Sequence, residues 1–490
     1  MLGEKIKFDA CFIGLFEDKL DNFYYKDELN KYFNGILDSY FKSGEIKAKS
    51  KEVTPILNPS LDEYKRFYFI GLGKSNNLST SILRDSLGDA FKYLVKSTDK
   101  SISIMFDTFL CDKISPETTA KILGESYQLS TYRFRGYKTE NVKQEKYISE
   151  CMLVSSDGNQ KAQEMFDLGQ IYGRSQNSAR NLVNTPPNIL RAEDIVSYCI
   201  EMSDKYSLEC EVLDKEKCEE LGMGAFLAVN QGSANPPYLI VLKYKGKEKW
   251  EDVIGLVGKG VTYDTGGYSL KPVTNMVDMK TDMGGAAAVI GAMEIIGQVK
   301  PNQNVVAVIA STDNYIGPNA MVPDEVIVSL SGKTIEIQNT DAEGRLTLAD
   351  AITYAKFNGA TKIIDIATLT GSVVSALGTK TSGVLTNNEK FLEEFKSATL
   401  KEDERIWQFP IFEDDRKTVR SSKVADLSNA PSKDADVIMA AAFLEAFAEQ
   451  TPWVHIDIAG TATAKSEYSY GPKGATGIMT RSLATLILNS

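Results

Sequence analysis

Four acidic residues, Asp264, Asp282, Asp341 and Glu343, stand at the ends of predicted buried elements. Carboxylates that converge without a counter-ion repel one another and suffer large pKa shifts, a cost that divalent cations remove. Oxygen ligands suit Mg²⁺ and Mn²⁺, and Zn²⁺ also accepts them. Two ions about 3.5–4 Å apart, clamping one substrate oxygen, form a hydrolytic centre. Each segment has a structural reading as well. Asp282 directly precedes Met283-Gly284-Gly285-Ala286-Ala287-Ala288, where an aspartate can cap a small-residue helix. In Asn339-Thr340-Asp341-Ala342-Glu343-Gly344-Arg345-Leu346, Arg345 can pair with either acid and leave no metal to bind. The loop from Gly258 to Gly267, followed by Lys271, leaves a buried strand where ligands gather in open α/β sheets. Its glycines admit close backbone approach, but neither phosphate-loop pattern is present. The three segments together favour the metal centre over their separate structural readings.

Composition narrows the chemistry further. The chain has a single histidine, His455, inside the apolar run WVHIDIAG, which reads as a buried strand. Serine and cysteine nucleophiles paired with histidine need a mobile imidazole, so His455 reads as a core residue. Six scattered cysteines form no C-x-x-C pair, which argues against zinc fingers and a disulfide framework and fits a reducing cytoplasm. A net charge of −11 makes nucleic acid an unfavoured partner. The charged opening MLGEKIKFDA does not read as a signal peptide, and no apolar run reaches the ~18 residues of a membrane helix.

At 490 residues the chain calls for two or three domains. The strands that position the acids come from an α/β pattern. A small N-terminal α/β domain is expected over 1–156, with strands at Lys5–Leu15, Phe67–Gly71, Ile102–Phe106 and Met152–Ser155 and a helix at Ser81–Val95. A linker and connecting helix follow over 157–187, and prolines 186 and 187 end that helix. The larger catalytic domain, 188–490, is expected to be α/β/α with a mixed central sheet. Its strands are read at Tyr238–Tyr244, Val253–Val257, Val305–Ala310, Thr334–Ile337, Ile363–Ala367 and Val454–Ile458, mostly unbroken apolar runs as for strands covered on both faces.

Spacing alone does not choose among a phosphatase, a nuclease and an aminopeptidase. The residues 339–346, NTDAEGRL, are similar to the signature octapeptide of the leucyl aminopeptidase (cytosol aminopeptidase) family. ARNLVNTP at 179–186, LGMGA at 221–225, QGS at 231–233, the Lys259–Lys271 loop, Asp282, ATLTG at 367–371 and HIDIAG at 455–460 resemble family motifs in family order. The resemblance runs from about residue 165 to the end; before that only Gly71-Leu72-Gly73-Lys74 matches.

The resemblance implies that Lys259, Asp264, Asp282, Asp341 and Glu343 hold two divalent ions per subunit, with Asp264 and Glu343 shared. The ions would be Mn²⁺ or Zn²⁺, with Mg²⁺ or Co²⁺ as further options. A metal-bridging water would be the nucleophile. Lys259 would ligate as a neutral amine of depressed pKa, its structural alternative being a salt bridge. Lys271 would stabilise the oxyanion, and Arg345 would hold a bicarbonate that acts as general base. Met279, Thr368 and Gly371 would line the pocket for a Leu- or Met-like first side chain, although core packing also explains Met279. The family assembles as a cytoplasmic homohexamer acting on peptides, with the N-terminal domain given to assembly. Two stretches depart from the pattern. Ala430-Pro431-Ser432-Lys433-Asp434-Ala435-Asp436 replaces a glycine-rich loop, with Met439 where threonine is usual, and Pro323-Asp324-Glu325 replaces Pro-Gly-Asp. The rival from another class is a DNA-binding protein, which the acidic charge disfavours.

Overall fold

The N-terminal strands alternate apolar side chains on both faces, so their sheet must be covered twice. In the computed structural model, which describes residues 8–58, 64–139, 148 and 150–490, this sheet has the order Val53–Leu57, Tyr64–Gly71, Phe8–Leu15, Ser101–Met105, Glu150–Val154. Only the edge strand Val53–Leu57 runs antiparallel to its neighbour. It contains Pro55, which lacks an N–H and is tolerated at an edge. Ala10, Phe12, Tyr68, Ile70, Ile102 and Ile104 pack with the helices Thr80–Lys96 and Pro116–Ser130. Cys11, Ile13, Phe67 and Phe69 face the other way, toward Leu29, Phe33 and Leu37. Of the expected strand Lys5–Leu15, residues 5–7 lie outside the described residues.

The chain separates into two compact units. The first holds the described residues up to Asn177 together with Ser466–Lys473, and the second holds Ser178–Lys465 and Gly474–Ser490. The division falls inside the helix Gln160–Asn184. The return of 466–473 to the first unit was not legible in the sequence; there Lys92 pairs with Glu467 at 3.5 Å.

The second unit is built on an eight-stranded sheet. Its order is Ile406–Gln408, Ser382–Thr386, Trp453–Asp457, Ala360–Ala367, Val253–Asp264, Val305–Asn314, Tyr238–Tyr244, Glu209–Leu213. The four strands from Trp453–Asp457 to Val305–Asn314 are mutually parallel. Antiparallel pairings at Ser382–Thr386 and Tyr238–Tyr244 make the sheet mixed, as expected. The central strand Val253–Asp264 is sandwiched. Val253 and Val257 join Leu346, Leu348 and Ile352 of the helix Glu343–Phe357. Gly258 points oppositely, and a Cβ there would stand 2.7 Å from Ala286 Cα, so glycine lets the helix Gly284–Val299 close on that face.

Three outer strands, Glu209–Leu213, Ser382–Thr386 and Ile406–Gln408, were not expected; the first alternates polar residues and the last is only three residues long. The strand expected at Thr334–Ile337 forms over Thr334–Glu336, in a separate sheet between Val326–Val328 and Leu427–Ser428. That pairing brings the chain after Leu427 alongside the loop that leads into the helix Glu343–Phe357. Among the described residues no helix is long and apolar enough to cross a membrane.

Candidate metal centre

The sheet delivers charged groups to one place because the central strands end there. Lys259 and Asp264 lie on Val253–Asp264, and the neighbouring strand pairs Asn314 with Asp264. Asp282 lies in the 3₁₀ segment Met279–Met283. Asp341 occupies the turn before the helix Glu343–Phe357, and Glu343 is that helix's first residue, where an acid is favoured by the helix dipole. Gly344 permits the close approach: a Cβ there would lie 2.6 Å from Lys259 Cε.

Two ammonium groups bridge the acids. Lys259 Nζ lies 2.7 Å from Asp282 Oδ2 and 2.8 Å from Glu343 Oε1, and donates to Thr368 O at 3.1 Å. Lys271 Nζ lies 2.7 Å from Asp264 Oδ2 and 2.5 Å from Asp341 Oδ1. Asp264 Oδ1 accepts from Gly266 N and Asn314 Nδ2, both at 2.8 Å. Thr368 Oγ1 donates to Asp282 Oδ1 at 2.8 Å. Lys259, Asp264, Asp282 and Glu343 are all buried.

Electrostatics follow from this company. Burial raises the Asp341 pKa, and the charges of Asp264 and Glu343 raise it further, against Lys271, to about 7. Burial likewise pushes Asp282 well above the carboxylate range, with Lys259 opposing and Glu343 and Asp264 adding. For Lys259, burial disfavours the charge, but Asp282, Glu343 and Asp264 together hold the ammonium above its ordinary value. The depressed Lys259 pKa expected for a neutral amine is therefore not the state of the metal-free cluster, where the nearest charges are carboxylates. Lys271 is held up in the same way, against burial, by Asp264, Glu343 and Asp341.

The cluster fits a cation. Four carboxylates face two ammonium groups, leaving the acids in excess by two. Buried Glu343 Oε2 makes no hydrogen bond. Asp264, Asp341 and Glu343 each offer an oxygen within 4.8 Å of the others. Such a donor set suits divalent ions.

The remaining candidates are placed differently. Thr368 belongs to the cluster. Met279 is half-buried at the start of the segment carrying Asp282, and Gly371 is exposed at the start of the helix Gly371–Leu377 with open space before it. Arg345 is 3% exposed; Nη1 donates to Asn429 O at 2.6 Å and Nη2 to Asp436 Oδ1 at 2.7 Å. Its guanidinium thus already carries a carboxylate where the resemblance puts bicarbonate. His455 is fully buried; Asp365 Oδ1 lies 2.6 Å from its Nδ1, and Trp453 Nε1 donates to the same carboxylate at 2.5 Å. Burial would lower the His455 pKa, but Asp365 holds it above its usual value. Sequence reasoning missed Asn314, Thr340, Asn429 and Asp436. Thr340 Oγ1 donates to Gly266 O at 2.6 Å and accepts from Ser269 N at 2.7 Å, locking the two acid-bearing loops together. The only signal for Asn314 was a polar residue ending a buried strand.

The chain is similar to known proteins along most of its length. Residues 177–484 match the model of the cytosol aminopeptidase family catalytic domain, and residues 12–141 match that family's N-terminal domain. The chain is 51% identical over 459 residues to a probable cytosol aminopeptidase of Bacillus subtilis (strain 168), covering 94% of this chain and 92% of the relative. It superposes on the bottromycin maturation enzyme BotP with a TM-score of 0.86 at 26% identity, covering 98% of this chain and 99% of that one. The same enzyme in complex with Mn gives 0.87 at the same identity and coverage. The chain belongs to the cytosol aminopeptidase family, metal-dependent hydrolases that release N-terminal residues from peptides.

Proposed function

We propose that Lys259, Asp264, Asp282, Asp341 and Glu343 hold two divalent ions, with Asp264 and Glu343 touching both. The observation that carries this reading is the crowding of four carboxyl groups around two ammonium groups, with Glu343 Oε2 left without a partner. When bound, the ions supply a nucleophilic water of lowered pKa and Lewis-acid polarisation of the carbonyl. With the ions bound, Lys259 would ligate as a neutral amine. Lys271 would stabilise the oxyanion at the first peptide carbonyl. Arg345 holds the oxyanion that moves the proton; the resemblance gives bicarbonate, with which the Asp436 carboxylate on the same guanidinium competes. Met279, Thr368 and Gly371 border the space for the first side chain, and the apolar Met279 favours Leu or Met there. Mn²⁺ or Zn²⁺ is the preferred metal, the first supported by the manganese complex of BotP, with Mg²⁺ or Co²⁺ as substitutes.

The domains we assign are an N-terminal α/β domain (1–156) serving assembly, a linker and connecting helix (157–187) and the catalytic domain (188–490). The working form is a cytoplasmic homohexamer acting on peptides. The test is hydrolysis of aminoacyl p-nitroanilides by metal-stripped protein with Mn²⁺, Zn²⁺, Mg²⁺ or Co²⁺ restored separately. Metal-dependent cleavage that is lost on N-acetylation is expected. Cleavage of a phosphate ester and of no aminoacyl amide would overturn the reading.

A further inference from the structure

A guanidinium is a planar fork that takes a planar oxyanion, and a carboxylate and a bicarbonate present the same group to it: two oxygens on one carbon with one negative charge. At Arg345, Nη1 is taken by Asn429 O and buried Nε makes no hydrogen bond, so a resident carboxylate and a diffusible one compete at Nη2. In this chain Arg345 is 3% exposed, and Asp436 Oδ1 lies 2.7 Å from Nη2. The Asp436 side chain keeps 32% of its surface exposed, so it reaches both the buried cation and water.

The fold holds Asp436 in this position from both sides. On one side, Asn429 gives its carbonyl to Arg345 Nη1. Its side chain accepts from Gln338 N at 2.8 Å and donates to Asn339 O at 2.7 Å, tying this segment to the loop that carries Asp341. On the other side, Val437 N donates to Ser372 Oγ at 2.9 Å. Asp436 itself opens the helix Asp436–Ala448, and Ala435 before it takes the left-handed conformation that turns the chain. The segment that replaces a glycine-rich loop thus delivers an acid to Arg345.

We propose that Asp436 is the resident oxyanion of Arg345 and the proton acceptor of the hydrolysis, so that this enzyme turns over without bicarbonate. The proposal rests on the aminopeptidase reading of the site. Asp436 takes a proton from the attacking water as the water oxygen bonds to the carbonyl carbon. It returns that proton to the leaving nitrogen as the C–N bond breaks. The carboxylate ends as it began, and no external base is consumed.

The experiment compares metal-loaded full-length wild type, Asp436→Gly and Asp436→Asn in CO₂-free buffer, with sodium bicarbonate then titrated into each and followed by both turnover and calorimetry. The wild type is expected to be fully active, to change less than twofold with bicarbonate and to give no binding heat. Asp436→Gly is expected to lose about 10²–10⁴-fold in kcat, the range of general-base catalysis. It should recover at least tenfold as bicarbonate is added, reaching half of its maximum at the midpoint of a calorimetric isotherm. Asp436→Asn, which keeps the side-chain volume, should be inactive and unrescued; it tests the charge even if the glycine variant fails to fold. Strong stimulation of the wild type by bicarbonate with a matching isotherm, or full activity of both variants without it, would overturn the proposal. A wild type inert toward every aminoacyl substrate would sink the aminopeptidase reading and with it the proton-transfer role, while the calorimetry would still decide whether Asp436 occupies the fork.

Discussion

The entrance and the middle of the helix Glu343–Phe357 each hold an aspartate pushed up to about 7, for different reasons. Asp341, in the turn before the helix, is raised by burial and then by the like charges of Asp264 and Glu343. Asp350, fully buried within the helix, is raised by burial alone. Backbone N–H groups oppose that shift: Phe226 N donates to Oδ2 at 2.9 Å and Leu330 N to Oδ1 at 2.8 Å. Asp350 is a strut whose oxygens are taken by the main chain. Asp341 faces other acids that a cation would relieve. At this helix it is the like-charged neighbours, and not the size of the shift, that single out Asp341 as the candidate ligand.

The comparison breaks most visibly in turnover. Asp341→Ala should lower kcat/KM about 10³-fold, the loss of several kcal/mol of metal-borne transition-state stabilisation. Asp350→Asn should stay within about tenfold of wild type, so equal losses in aminoacyl p-nitroanilide assays would erase the distinction. Metal-linked stability is the next measure. At 100 times its Kd, an ion that binds only the folded state adds about 2.7 kcal/mol. Differential scanning fluorimetry with and without Mn²⁺ should show that upward shift in the wild type and in Asp350→Asn, but a much smaller one in Asp341→Asn. The smallest effect concerns pH. Asp350 has a folded pKa near 7 and an unfolded one near 3.9, so the folded state holds the proton more tightly. Its contribution therefore falls as pH rises from about 4 to about 7 and is constant above that. Asp350→Asn should flatten this part of the stability profile, read by urea unfolding of metal-free protein, while costing about 1–3 kcal/mol for a backbone N–H left without an acceptor.

What the sequence disclosed follows from the range of the interactions. Tyr238–Tyr244 forms over the expected residues because an unbroken apolar run specifies a buried strand locally. The central strand runs on to Asp264, beyond the expected Val257, because its later residues pair with Val305–Asn314 through an irregular register. The acids were legible because each sits in a short recognisable segment. Their partners were not. Asn314 reaches Asp264 through a neighbouring strand, and Asp436 meets Arg345 only after the sheet containing Thr334–Glu336 and Leu427–Ser428 has formed. The sequence suggests one lysine as a metal ligand and the other as an oxyanion donor; their bridging of carboxylate pairs depends on distances that no local pattern encodes.

Those bridges bear on how the protein matures. Because Lys259 and Lys271 offset two of the four carboxylates from within the polypeptide, the fold closes around the cluster with only part of its charge unbalanced. On the metal reading proposed above, loading would then exchange ammonium contacts for ion contacts on a protein that has already folded.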